Sequence, residues 1–278
     1  MPQSNTQNKK RSAEDAFGER PAKMESPFMP MFEGFKSELD EHHDRRERII
    51  KASRDITATS KKIIFGLQRV RNMKQPIPGA ITKSNQPLWD LISKAYSSIS
   101  TDLQGLNTYR YSKQITGGTQ EFMEALSFQH YLEAQSLVSL QEASRSTADL
   151  GGPNNPILLS EADYLLGVFD MTGELMRFAI TVMATSGEVP SAKLEVEGEQ
   201  SHRNVLTDLR DVRDFLKAVD VPHYSSLNKD MNKKMEVLET CVVKVENALY
   251  GLTVRGAERP KGWLPDEKMV GRDEVVGH

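Results

Sequence analysis

Residues 32–73, FEGFKSELDEHHDRRERIIKASRDITATSKKIIFGLQRVRNM, decide the fold. Phe35, Ile49, Ile56, Ile63 and Val70 fall on one seven-residue register. Leu67 widens that apolar stripe and His42 interrupts it. No proline occurs in the stretch, and its two glycines, Gly34 and Gly66, stand near its ends. This pattern predicts one long helix packed lengthwise on other helices. From Asp44 to Lys74 there are ten Lys or Arg against three acids. Arg48, Lys51, Arg54, Lys61, Lys62 and Arg69 gather opposite the apolar stripe, where a charge run is ordinarily a solvated face. The sign imbalance points instead to a surface that meets phosphates, with Lys51, Arg54, Lys61, Lys62 and Arg69 as contacts. A neighbouring subunit is the alternative occupant of that face.

The rest of the chain reads as further helices. The segment from Lys74 to Pro87 holds Pro76, Pro78, Gly79 and Pro87 and reads as a loop. Pro87 suits the first turn of a second helix, with Leu88, Leu91, Ile92 and Ala95 as its apolar face. A third helix is expected near Asn107, broken or bent around Gly117-Gly118, with an acidic helical segment continuing to about Leu140. ADLGGPNNP, residues 148–156, is a loop. Ser160 is a good N-cap for a helix running to Thr185, with Asp163 three residues on as a capping acid. Residues 186–198 read as another loop. Residues 201–219 and 226–250 read as the last two helices, separated by Asp220-Val221-Pro222. No strand-type alternation and no fixed-period repeat stands out, so the expected fold is all-α, a bundle of about seven helices.

Residues 1–30 are polar, lack apolar periodicity and read as a disordered basic tail, followed by a helical domain over 31–256 and a mobile tail over 257–278. Lys9-Lys10-Arg11 and then Arg20 and Lys23 resemble a bipartite nuclear import signal, although short basic clusters are also common on solvated tails. The chain is 278 residues long with a formal net charge of -3, so nucleic-acid binding would rest on a local patch rather than on overall charge. A single cysteine, Cys241, excludes an internal disulfide and a cysteine-based zinc site. No apolar run is long enough to span a membrane and no secretory signal is apparent, so a cytoplasmic and nuclear protein is expected.

Two apolar segments carry unexpected acids. Glu121 and Glu124 lie in GGTQEFMEALSFQHYL, among Phe122, Met123, Ala125, Leu126 and Phe128. Asp170 and Glu174 lie in DYLLGVFDMTGELMRFAI, among Leu165, Leu166, Val168, Phe169, Leu175 and Met176. At about 100° per residue the first pair points about 60° apart and the second about 40° apart, so each pair shares a face. Acids in such surroundings are costly to desolvate unless paired, protonated or bound to a metal. If the helices pack side by side, four oxygen donors converge as a site for magnesium or manganese. ExxE and DxxxE spacings are frequent on ordinary helix surfaces, so spacing alone does not establish such a site. His130 comes six residues after Glu124 and points about 240° round the helix, which suits a hydrogen-bonded core or interface histidine. His42-His43 reads as surface. A di-iron carboxylate bundle needs two Glu-x-x-His motifs, and only Glu199 with His202 matches.

Four blocks carry a family resemblance: LDEHHDRRERIIKASRDITATSKKIIF, TGGTQEFMEALSFQHYL, DYLLGVFDMTGELMR and KVENALYGLTVRGAERPK. Spread from about residue 35 to 261, they resemble the translin superfamily, in particular its TRAX-type members. The resemblance implies an all-α fold of seven helices and assembly with translin subunits into a hetero-octamer. It also implies magnesium-dependent endoribonuclease activity on single-stranded or partly paired RNA. The acidic positions of the family's QEYVEA-like and GVADLTGE-like motifs fall on Glu121, Glu124, Asp170 and Glu174. All four are present, which makes the chain resemble the catalytic type. Glu121, Glu124 and Asp170 are then the expected ligands, with Glu174 a fourth ligand or a group that orients water. The loop before Asp163 is shorter than in animal members, which bears on partner contacts. The alternative is a non-catalytic scaffold that binds single-stranded RNA or DNA through the long helix.

Overall fold

The computed structural model describes residues 26–191 and 203–255. The expected tails lie almost wholly outside these residues, as do the basic clusters at Lys9 and Arg20 and the pair Glu199 and His202. The chain divides into two compact units, residues 1–44 and 45–278. Eight α-helices are described: α1 Met29–Leu67, α2 Gly79–Ile99, α3 Leu106–Arg110, α4 Ser112–Ala134, α5 Leu140–Asp149, α6 Glu161–Ser186, α7 Val205–Lys217 and α8 Ser226–Arg255. A 3₁₀ turn, Ser100–Leu103, follows α2. Among the described residues the only β-type pairing is a single bridge between Ser191 and Asn204. None of the described helices is long and apolar enough to cross a membrane.

The long helix forms, but it ends at Leu67 rather than near residue 73, so Val70 of the register lies just past it. Ile49, Ile56, Ile63, Leu67 and Val70 are all buried, so the predicted register is the core face of the second unit. Phe35 continues the register in the first unit but is 52% exposed, one of a run of exposed apolar residues with Phe28, Met31, Phe32 and Leu39. In the second unit α6 is the central helix, packed along both α4 and α8, with α7 lying on α8. Phe122, Met123 and Phe128 of α4, Phe169, Met171, Leu175 and Phe178 of α6, and Leu238, Val242 and Val245 of α8 fill the space between them.

Several boundaries differ from the sequence-based expectation. Pro87 is inside α2 rather than at its start, and the loop ends at Pro78, which precedes the first helical residue. A proline there removes a backbone donor at a cost of about 3 kcal/mol. The buried stripe Ile81, Ile92, Tyr96 and Ile99 runs through the position, and its packing outweighs that loss. Gly117 and Gly118 do not break α4. The Gly118 N–H donates to Ser53 Oγ of α1 at 3.1 Å. A Cβ at Gly118 would stand 2.8 Å from the Ser53 carbonyl oxygen, so the glycine permits a close crossing of α1 and α4. α4 also ends earlier than expected, at Ala134, where Gln135 turns left-handed with φ 55°. A separate α5 then starts on a capping box in which Ser139 and Glu142 satisfy each other's backbone N–H groups. The cap on α6 is as predicted: Ser160 Oγ accepts from the Asp163 N–H at 3.1 Å.

Two polar braces hold helix ends in place. Asp102 in the 3₁₀ turn takes hydrogen bonds from Arg48 Nε at 2.9 Å and Arg45 Nε at 3.1 Å. Asp208 of α7, buried, accepts from Tyr131 Oη at 2.6 Å and Gln135 Nε2 at 2.9 Å, and pairs with Arg203. A buried carboxylate is tolerated when its lone pairs are filled in this way.

Candidate functional site

The four acids come together because α4 and α6 approach unusually closely. Gly167 of α6 faces Met123 of α4, and a Cβ at 167 would stand 2.5 Å from Met123 Cβ and 3.1 Å from the Gln120 carbonyl oxygen. Met123 lies between Glu121 and Glu124, and Gly167 lies one turn before Asp170. The point of closest approach therefore adjoins the acids of both helices. The apolar neighbours Phe122, Met123, Val168, Phe169 and Met171 are buried, which fixes the rotation of each helix about its axis. Glu121, Glu124 and Asp170 are partly exposed, while Glu174 is buried.

The acids of the two helices act on one another electrostatically. Burial pushes the Glu124 carboxyl up to about 8, and the negative charges of Glu121, Asp170 and Glu174 add to the effect. Glu121 is also raised by burial; Lys61 opposes the rise, while Asp170 and Glu174 reinforce it. Like charges that disfavour one another's ionisation in this way lie within a few ångströms to about a nanometre of each other.

Among the described residues, Glu121, Asp170 and Glu174 each have a side-chain partner. Lys61 Nζ of α1 stands 3.7 Å from Glu121 Oε2. Lys234 Nζ of α8 pairs with Asp170 Oδ1. Glu174 accepts a hydrogen bond from Gln68 Nε2, just past α1, and lies 3.7 Å from Arg177 Nε. Oxygen donors bearing clustered negative charge are the donor chemistry of a hard divalent cation, and in that respect the set fits one. As the side chains stand, no three His, Cys, Asp or Glu groups among the described residues are placed to hold an ion. The carboxylates engage Lys61, Lys234, Gln68 and Arg177 instead.

The other candidates fall elsewhere. His130 Nε2 lies 3.1 Å from Ser136 Oγ, turned away from the acids as its helical angle predicts. Asp163 combines its capping role with hydrogen bonds from Thr116 and from Gln120 Nε2, the latter at 3.0 Å. His42 lies 3.8 Å from Glu38 within the first unit, and His43 is exposed. Lys51, Arg54, Lys61, Lys62 and Arg69 are all exposed on α1 or just after it. Lys61 is the member of that row that reaches the acids.

Sequence reading did not single out Gln68, Arg177 or Lys234. For Lys234 a signal existed. Met231, Leu238, Cys241, Val242 and Val245 are buried at helical spacing, and Lys234 occupies the intervening place on that stripe. A lysine where the period asks for an apolar residue marks an acid partner, here the partly exposed Asp170, 64 residues away in sequence.

The Translin family model matches residues 44–256. Translin-associated protein X of Mus musculus is 32% identical over 286 residues, covering 96% of this chain and 91% of that protein. The Translin-associated protein X homolog of Schizosaccharomyces pombe is 30% identical, covering 82% and 89%. Translin of Mus musculus is 23% identical, covering 83% and 94%. The crystal structure of apo-NeC3PO shares the fold, with a TM-score of 0.60 at 16% identity, over 82% of this chain and 100% of that one. The family match over most of the chain and the 32% identity to a relative covered almost end to end show that the chain belongs to the translin family.

Proposed function

We propose that the chain is the catalytic subunit of a metal-dependent endoribonuclease that assembles with translin-type subunits in a hetero-oligomer, an octamer by the family resemblance. Its substrate is single-stranded or partly paired RNA. The observation that carries this reading is the meeting of Glu121 and Glu124 from α4 with Asp170 and Glu174 from α6, where Glu124 is pushed up to about 8 by burial and by its three acidic neighbours. An excess of negative charge in a half-buried place is relieved by a divalent cation. The greater identity to Translin-associated protein X than to Translin supports the same assignment.

Glu121, Glu124 and Asp170 would hold the magnesium or manganese ion. A divalent ion held there would supply Lewis acidity toward a phosphoryl oxygen and toward water. Glu174, buried and fixed by Gln68 and Arg177, orients that water or completes the ligand set. Lys51, Arg54 and Lys62 on α1 and Arg69 just past its end are the phosphate contacts, and Lys61 links that row to Glu121. Contacts of this kind read the sugar–phosphate backbone rather than base edges, which suits single strands of varied sequence.

The test is cleavage of labelled single-stranded RNA by the assembled complex, with magnesium and with EDTA, comparing wild type with Glu124→Gln and Asp170→Asn. Each substitution should lower magnesium-dependent cleavage by about 100-fold or more, the scale on which loss of a charge-stabilising group acts. Cleavage that survives both substitutions would sink the reading. RNA binding in EDTA without cleavage on adding magnesium would assign the chain to binding alone.

A further inference from the structure

Lys234 is the cation of the acid site that the function above does not use. It is placed there by the fold rather than by surface chance. Its side chain lies on the inward stripe of α8 and is 25% exposed, whereas Lys61 is 64% exposed. Its ammonium pairs with Asp170 Oδ1. Its charge also acts on Glu124, holding that carboxyl lower than burial and the other acids alone would. One ammonium thus serves two of the carboxylates expected to share a metal ion. A half-buried lysine on an apolar stripe is costly unless paired, so removing its acid partners would leave an uncompensated charge.

We propose that Lys234 is a positioning residue of the carboxylate site: in the metal-free chain it occupies the cation's place on Asp170, and a divalent ion enters by exchange with it. The inference rests on reading the acids as a cation site. Lys234 holds the Asp170 carboxylate in place before metal arrives. A lysine suits exchange because its ammonium is a compact point charge on a flexible four-carbon stem, able to swing out once the divalent ion has taken its oxygen. An arginine would grip the same carboxylate through two donors at once and yield it less readily.

The experiment is titration of the full chain, in the assembly in which it purifies, with Mn2+ alone. Free Mn2+ is followed by electron paramagnetic resonance, and thermal unfolding is followed in parallel in EDTA and in Mn2+. Lys234→Gln should bind Mn2+ on the order of tenfold more tightly than wild type, because a competitor for Asp170 has been removed. Its unfolding temperature should fall in EDTA and recover with Mn2+. Lys234→Arg should bind Mn2+ more weakly than wild type while keeping the unfolding temperature in EDTA. Unchanged or weaker Mn2+ binding in Lys234→Gln, with wild type binding normally, overturns the exchange while leaving the cation site standing. If Lys234→Gln does not fold, Lys234→Arg decides: Mn2+ binding as tight as wild type overturns the proposal. Absence of Mn2+ binding in wild type and in every variant overturns the cation site itself, and the exchange with it.

Discussion

Gly167 of α6 stands against Met123 of α4 so closely that a Cβ on the glycine would come within 2.5 Å of Met123 Cβ. Met123 is fully buried and so cannot easily retreat. Gly167→Ala should therefore force α4 and α6 apart, with a loss of about 1–3 kcal/mol from overpacking, partly offset by the better helix propensity of alanine. Because the contact adjoins both pairs of acids, metal-dependent cleavage should fall more than stability does. Chemical denaturation and a cleavage assay on the same preparation check both parts. A stable variant with full cleavage would show that the acids do not depend on this spacing.

Glu124 is the acid for which the metal-free fold is least suited. Its carboxyl is raised to about 8, first by burial and then by Glu121, Asp170 and Glu174. The unfolded chain ionises this group near its ordinary value, about 4.3. As pH rises from there toward 8, the unfolded state sheds a proton that the folded state retains, so the folded state loses stability across that window. Glu124→Gln removes the titration. In EDTA it should raise the unfolding temperature at pH 8 and change it little at pH 5, while abolishing metal-dependent cleavage. A lower unfolding temperature at pH 8 would contradict this account.

The elements legible in sequence were those whose physics is local. Ile49, Ile56 and Ile63 announce α1 by period, and Ser160 with Asp163 announces the start of α6 by cap chemistry. The acids were legible as a candidate site because carboxylates among Phe122, Met123 and Phe169 are anomalous whatever the tertiary fold. The elements misread were decided by distant contacts. Gly118 looks like a helix breaker until Ser53 of α1 is seen packed on it. Pro87 looks like a first-turn residue until the buried stripe from Ile81 to Ile99 is seen to run through it. Gln68 carries no local mark of being a partner of Glu174 and is brought there by packing, whereas Arg177 is its i,i+3 neighbour on α6 and was open to sequence reading.

Asp102 should make the fold sensitive to acid. Burial works against its charge, but hydrogen bonds from Arg48 and Arg45, and the charges of those two residues, outweigh burial and hold its carboxyl below the ordinary range. A folded value below the unfolded one means that the stabilisation is present above about pH 4 and is lost as pH falls through the folded value. Asp102→Asn keeps the shape and removes the charge. It should cost about 1–3 kcal/mol at pH 7, the range for a hydrogen-bonded charged group with partly exposed partners. The cost should shrink as pH falls below the ordinary carboxylate value. Denaturation midpoints at pH 7 and pH 3 measure the difference, and an equal cost at both would exclude the ionised pair as its source.

Lys61 and Lys62 are adjacent and exposed, yet only Lys61 reaches an acid of the site, at 3.7 Å from Glu121. Charge reversal at the two positions should therefore have separable effects. Lys62→Glu should weaken RNA binding and reduce the steepness of its salt dependence, since a lost phosphate contact changes the slope by about one unit. Its cleavage rate at saturating RNA should stay near wild type. Lys61→Glu should weaken binding in the same way and also place a fifth carboxylate beside Glu121. That raises the local negative charge, so the metal-free protein should unfold at lower temperature in EDTA and regain stability on adding magnesium. Filter binding across a salt series and thermal unfolding with and without magnesium distinguish the two. Should both reversals leave RNA affinity unchanged while disrupting assembly, the basic face of α1 meets a neighbouring subunit rather than the phosphate backbone.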